Sequence, residues 1–294
     1  MSGRPGPSTP ASFWMIGASI AFALMAAGVK LAAQHDVPLG QIVFYRCLLS
    51  IVIVGVYMRL RGLEFRTRHW RAHLQRGGAG FFGIIAYFAA IMLLPLSSAV
   101  TLNYTSPLLL ATTLLVMHRE RPPLRMVLAM LGGFAGIVLL LQPSYDPSQW
   151  LGILVALASA VTAVIAALNI RSLGRLDEPV ARTVLYFSGI VSVASFPWYL
   201  TTDIARITLA GIASVAVVGV FATVGQVMLT LAFQRGQTLL TSLLGYSQVI
   251  FTSLIGVALW DDHPGLGAWL AMGLIIASGA VATWFMRSES QTTR

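Results

Sequence analysis

Residues 101–123, TLNYTSPLLLATTLLVMHRERPP, return 142 positions later as residues 243–265, LLGYSQVIFTSLIGVALWDDHPG. The gapless alignment runs from Ala90 to Pro122 against Ala232 to Pro264, setting Tyr104 opposite Tyr246 and Glu120 opposite Asp262. Each match is weak alone, but a constant offset across two apolar segments marks a duplicated chain. The first copy also places Asn103, Tyr104, Ser106 and Pro107 inside an apolar run. Proline in a helix interior costs roughly 3 kcal/mol, because it lacks an N–H and clashes with the preceding turn. The second copy has Val249 at the proline position, so a kink is expected in the first half alone.

The 294 residues are 57% hydrophobic and 10% charged, with mean hydropathy +0.80. A soluble domain carries about 25% charge, so this chain belongs in a membrane. Ten apolar spans are expected near 12–33, 39–59, 74–94, 97–117, 123–142, 149–171, 179–200, 207–232, 238–259 and 265–287. Only helices and closed barrels satisfy their backbone groups in lipid, and runs this apolar are helical. The fold class is therefore all-α integral membrane: ten transmembrane helices in two inverted five-helix repeats, 12–142 and 149–287. Residues 1–11, rich in Pro, Gly and Ser, read as a disordered cytoplasmic tail, and 288–294 as a second cytoplasmic tail. No small-residue cleavage site follows the first apolar run, so no signal peptide is expected. The single cysteine, Cys47, excludes an intramolecular disulfide.

Arginine placement orients the chain. Arg4, Arg59, Arg61, Arg66, Arg68, Arg71, Arg76, Arg119, Arg121, Arg125, Arg171, Arg175, Arg182, Arg235, Arg287 and Arg294 fall on the side of the N-terminus, 16 of the 19 lysines and arginines. Lys30 and Arg206 fall on the other side, and Arg46 lies within a span. Both termini are thus expected in the cytoplasm of a cell whose inner (plasma) membrane the chain crosses many times. An offset of five spans gives the two halves opposite polarity, an arrangement recurrent in secondary transporters with a midplane site.

The duplicated five-span unit, "FYR" at 44–46, and "YTSPLLLATTLLVMHRERPPLRMVLAMLGGFAGIVLL" at 104–140 resemble the EamA-type drug/metabolite transporters. Within that family the chain looks most like the YddG-type aromatic amino-acid exporters. The resemblance implies ten helices around a cavity built from the third, fourth and sixth spans and their repeat mates, and export of metabolites by alternating access. The small multidrug antiporters of the superfamily rely on a glutamate in their first span, and this first span has none.

Helical spacing places polar residues on shared faces. Thr241, Gly245, Gln248 and Thr252 form one stripe in the ninth span, and Ala99, Asn103, Ser106 and Leu110 the equivalent one in the fourth. Gly219, Thr223, Gln226 and Thr230 line up in the eighth, Ser159, Thr162, Ala166 and Asn169 in the sixth, and Gly80, Gly83, Tyr87 and Ala90 in the third. Such stripes either line a wet cavity or make interhelical packing contacts. The candidate substrate-binding residues are Tyr87, Asn103, Tyr104, Ser106, Thr162, Asn169, Gln226, Tyr246 and Gln248, with Pro107 as a helix break. Gly132, Gly133 and Gly136 read as a packing face. Arg46, the one charge expected inside a span, either attracts a substrate carboxylate and tunes a gate or snorkels outward.

No carboxylate is expected at mid-membrane, which disfavours a carboxylate-based proton relay. Glu120 and Asp262 are expected to cap the helices that follow them. His69 and His73, in an arginine-rich segment, read as a solvated face. No metal-ligand cluster, P-loop or G-x-S-x-G motif is present, so neither metal, cofactor nor catalytic residues are expected, and the chain is not read as an enzyme. The basic balance is explained by orientation rather than by nucleic acid. The expected partners are membrane lipid and a small-molecule substrate, foremost an aromatic amino acid, handled by a monomer. Other amino acids, drugs or sugar phosphates are the alternatives, and a membrane enzyme or lipid-handling protein is the alternative from another class. A phosphorylated substrate would need two or more cavity-facing cations, and only Arg46 and Lys30 are offered.

Overall fold

The computed structural model describes residues 11–117, 119, 122–143, 146–202, 208–260 and 264–292. Twelve α-helices and one short 3-10 helix, Pro147–Gln149, are found among them. In the first half these are α1 (Ala11–Gln34), α2 (Leu39–Leu60), α3 (Trp70–Leu93), α4 (Leu96–Asn103), α5 (Ser106–Met117) and α6 (Leu124–Leu141). In the second they are α7 (Trp150–Arg175), α8 (Val180–Thr201), α9 (Leu209–Arg235), α10 (Thr238–Leu244), α11 (Ser247–Trp260) and α12 (Leu266–Thr292). Ten segments are long and apolar enough to cross a membrane, with α4–α5 and α10–α11 each counting as one, and the described residues include no strand. Helix α12 continues to Thr292, through most of the stretch expected as a tail. The expected disorder of the N-terminal residues and the expected caps at Glu120 and Asp262 lie outside the described residues.

The helix pairing obeys the internal repeat. Helix α1 packs along α9 and α3 along α7, which are the same pairing with the halves exchanged. Likewise α5 meets α7 while α11 meets α1. The self-equivalent pairs, α2 with α8 and α6 with α12, lie against each other. Lipid tails are as apolar as leucine, so these contacts depend on close approach rather than on the hydrophobic effect. Gly136 shows the mechanism: a Cβ there would lie 2.9 Å from the Ala271 carbonyl oxygen and 2.7 Å from the Ile275 side chain. Its neighbour Gly133 accepts the Tyr246 ring, which a Cβ would meet at 2.8 Å.

The fourth span breaks where the sequence anticipated it, and the ninth breaks as well, against expectation. Tyr104 N–H still bonds the Val100 carbonyl four residues back, but Thr105 N–H bonds Leu102, three back. At the equivalent place Tyr246, Gln248 and Val249 bond Leu243, Gly245 and Tyr246, again three back. Both breaks are therefore short tightened turns that keep backbone groups paired. Pro107 falls in the first turn of α5, where its missing N–H needs no partner. The ninth span reaches the same geometry without a proline.

Substituting Gly136→Ala should force α6 and α12 apart and destabilise the protein by about 1–3 kcal/mol, read as a lower melting temperature in detergent. Gly273→Ala in α12, where a Cβ would meet nothing within 4 Å, should leave that temperature unchanged or raised.

Candidate functional site

The two breaks face each other. Tyr104 and Tyr246, equivalent by the repeat, meet edge to face with ring centroids 6.0 Å apart. Beside them lies a cavity of about 260 Å³ lined from six spans: Met15 and Phe22 of α1, Arg76 of α3, Tyr104, Ser106, Pro107 and Leu110 on the fourth span, Ala163, Val164, Ala166, Ala167 and Ile170 of α7, Leu229 and Phe233 of α9, and Ser242, Gly245 and Gln248 on the ninth span. These residues cluster toward the start of α1 and α3 and the end of α7 and α9, so the cavity occupies the half of the bundle nearer the N-terminus.

Beyond the cavity the bundle is shut. Asn103 Nδ2 donates to Ser159 Oγ at 2.9 Å, joining α4 to α7. Ala90, Leu94, Ala99 and Ala156 pack together just past it. Between α2 and α8, Phe44 stacks on Tyr199 at 4.7 Å, and the Tyr45 and Tyr199 hydroxyls lie 3.2 Å apart.

Arg76 is the residue that sequence reasoning misplaced. Counted above with the loop arginines, it is 4% exposed within α3, and it lines the cavity. Its Nη2 donates to Gln226 Oε1 at 3.3 Å, and its guanidinium carbon sits 4.1 Å over the Phe187 ring. The Nε is buried without a hydrogen-bond partner, and no carboxylate among the described residues pairs with it. Gly80 makes the room: a Cβ there would lie 2.8 Å from Nη1 and 2.5 Å from Phe187. The sequence did hold a signal, since Arg76 precedes Gly80 by four residues on the stripe of Gly83, Tyr87 and Ala90.

Of the expected site residues, Tyr104, Ser106, Pro107 and Gln248 line the cavity. Gln226 adjoins it through Arg76. Asn103 is spent on the α4–α7 bond, and Thr162 Oγ1 donates to the Ser159 carbonyl beneath Gly83. Tyr246 is 1% exposed, packed behind the cavity against Gly133. Tyr87 contacts Phe88, and neither it nor Asn169 is among the lining residues. Arg46 stands apart, its Nη1 3.7 Å from Met25 Sδ, and Lys30 covers the Trp260 ring at 3.9 Å. Neither supplies the cavity charge.

His73 is likewise not on a solvated face. It is buried, stacked on Tyr186 at 4.6 Å, with Nε2 3.5 Å from Glu178 Oε2. Glu178, between α7 and α8, also accepts from the Thr67 hydroxyl and from Arg182 Nη1 at 3.0 Å, while Arg182 Nε donates to the Glu64 carbonyl. The cluster ties the α2–α3 connection of the first half to the start of α8 in the second. Burial alone would push the Glu178 carboxyl up, but the Thr67 hydroxyl, Arg182 and His73 outweigh it and hold it below its ordinary value.

Comparison with known proteins places this architecture. The EamA-like transporter family matches residues 9–142 and again 150–284, one match per half. The chain belongs to that family. It is a multi-pass membrane transporter of small metabolites, not an enzyme. The pseudopaline exporter CntI of Pseudomonas aeruginosa is 29% identical over 216 residues, covering 74% of this chain and 75% of that protein. A riboflavin transporter of Rhizobium johnstonii is 25% identical over 99% of this chain and 95% of its own. A solved crystal structure shares the fold with TM-score 0.84 at 21% identity, covering 94% of this EamA-family chain and 98% of that one. The resemblance to aromatic amino-acid exporters thus holds at the level of the family, while these named relatives carry other cargo.

Removing the Glu178 charge with Glu178→Gln should cost about 1–3 kcal/mol by leaving buried donors unmatched. A carboxyl depressed by folding contributes stability above its unfolded value of about 4.3, and that contribution fades as pH falls through the lower folded value. Thermal denaturation from pH 7 to 3 should therefore show a wild-type advantage that narrows only at the acid end.

Proposed function

We propose that this EamA-family protein is a secondary transporter that exports small metabolites with an apolar body and a polar end, aromatic amino acids first among them. It would work in a bacterial inner membrane, with both termini cytoplasmic and as a monomer. Substrate would enter the cavity beside the two broken helices, and the inverted halves (residues 12–142 and 149–287) would rock about it. The observation that carries the reading is the lining itself: Phe22, Tyr104 and Phe233 supply ring faces, while Ser106, Ser242 and Gln248 supply hydrogen-bonding groups. Ligand pockets for drug-sized molecules run about 300–1,000 Å³, so a cavity of about 260 Å³ suits a smaller solute. The exporter among the relatives supports the direction. The arginine asymmetry supports the orientation, because it is the pattern of cytoplasmic loops.

A second reading, favoured by the riboflavin transporters among the relatives, is a larger aromatic solute carried after the cavity widens. Reconstituted liposomes distinguish the two. Labelled phenylalanine or tryptophan should be taken up, and Gln248→Ala should cut the rate about tenfold while protein level and melting temperature hold. Uptake inhibited by riboflavin but not by excess unlabelled tryptophan would favour the second reading. Wild-type protein that moves neither amino acid would overturn the first.

A further inference from the structure

We propose that Arg76 is the anchor for a substrate carboxylate, so that the transported class is the small organic monoanion or zwitterion and excludes simple cations. The inference deepens the transport reading above and rests on the cavity being the substrate site. A charged side chain within a membrane helix is costly, and leaving such a charge buried and unpaired is strongly destabilising. The Gln226 carboxamide and the Phe187 ring face supply only partial negative charge to Arg76. The buried Nε has no partner, and no protein carboxylate among the described residues neutralises the group. A guanidinium fork lining a cavity, held from behind and unmatched in charge, has the geometry that receives a planar carboxylate.

The same residues set the charge of the guest. A phosphate carrying close to two negative charges calls for a second cation, and among the described residues Arg76 is the one cation that lines the cavity. One guanidinium among hydroxyls, a carboxamide and aromatic rings matches one carboxylate on an apolar body. Arg76 is already 4% exposed and unneutralised among the described residues. With a carboxylate bound, the two charges are desolvated as a hydrogen-bonded pair.

Benzoate, benzylamine and benzyl alcohol test this, because they share a ring and differ in charge. Benzoate should raise the melting temperature of the purified full-length protein in a saturable manner, and the amine and the alcohol should not. Arg76→Gln should weaken the benzoate response at least tenfold, and Arg76→Lys should keep a reduced response, having the charge without the fork. If Arg76→Gln does not fold, the wild-type contrast among the three probes and the Arg76→Lys response decide the matter. The anchor is overturned by an absent benzoate response, by an equal response to benzylamine, or by a wild-type response in Arg76→Gln. Benzoate binding that needs Arg76 in a protein unable to transport amino acids would sink the transport reading and leave the anion site. Wild-type transport by Arg76→Gln would do the opposite.

Discussion

Every backbone N–H and C=O at membrane depth must find a partner within the protein, and irregular backbone survives there only where protein or a wet cavity surrounds it. Two spans of this chain break that regularity, at Tyr104–Thr105 and at Gly245–Tyr246. Both tighten to bonds three residues back, so the breaks leave few orphaned groups. What they change is direction and crowding, and they bring the two equivalent tyrosines into contact. The cavity, the aromatic lining and the placement of Gln248 all follow from setting these two breaks side by side.

Around that centre the small residues decide how closely helices approach, and therefore what space is left. Gly80 and Gly83 bring α3 close to α8 and α7, with Phe187 and Thr162 occupying the volume their side chains would need. The room for the Arg76 guanidinium comes from the same economy of volume. Gln226, on the third turn from the end of α9, holds the guanidinium from the opposite side. A charge that composition alone would assign to a loop is thus housed by three helices from both halves of the duplicated chain.

The sequence displays the duplication, the ten spans and the all-helical class openly, because hydropathy reports burial in lipid directly. The third span was expected at 74–94 and runs from Trp70 to Leu93, and the other boundaries are comparably close. The cavity position was legible in part: Tyr104, Ser106, Pro107 and Gln248 were marked by polarity in apolar runs. The break in the ninth span was not, since proline was its expected signature and Val249 stands at that position in the second copy. Arg76 and His73 were hidden by their neighbours. Standing at the end of an arginine-rich segment, they shared its reading, although residue 76 already lay inside the expected span and on the face of Gly80. Carboxamides misled in the other direction: Asn103 is polar because it bonds Ser159 across a helix interface, which sequence cannot distinguish from contact with a solute.

That bond also breaks the symmetry of the fold. Asn103 corresponds by the repeat to Gly245, which has no side chain to donate. If the halves exchange roles, the conformation with the cavity in the opposite half has no counterpart of the Asn103–Ser159 bond. A hydrogen bond of this kind contributes about 0.5–1.5 kcal/mol, which weights two otherwise mirrored states by roughly two- to tenfold. On the alternating-access reading proposed above, the duplication would give two near-equivalent positions, and a single asparagine would weight one of them.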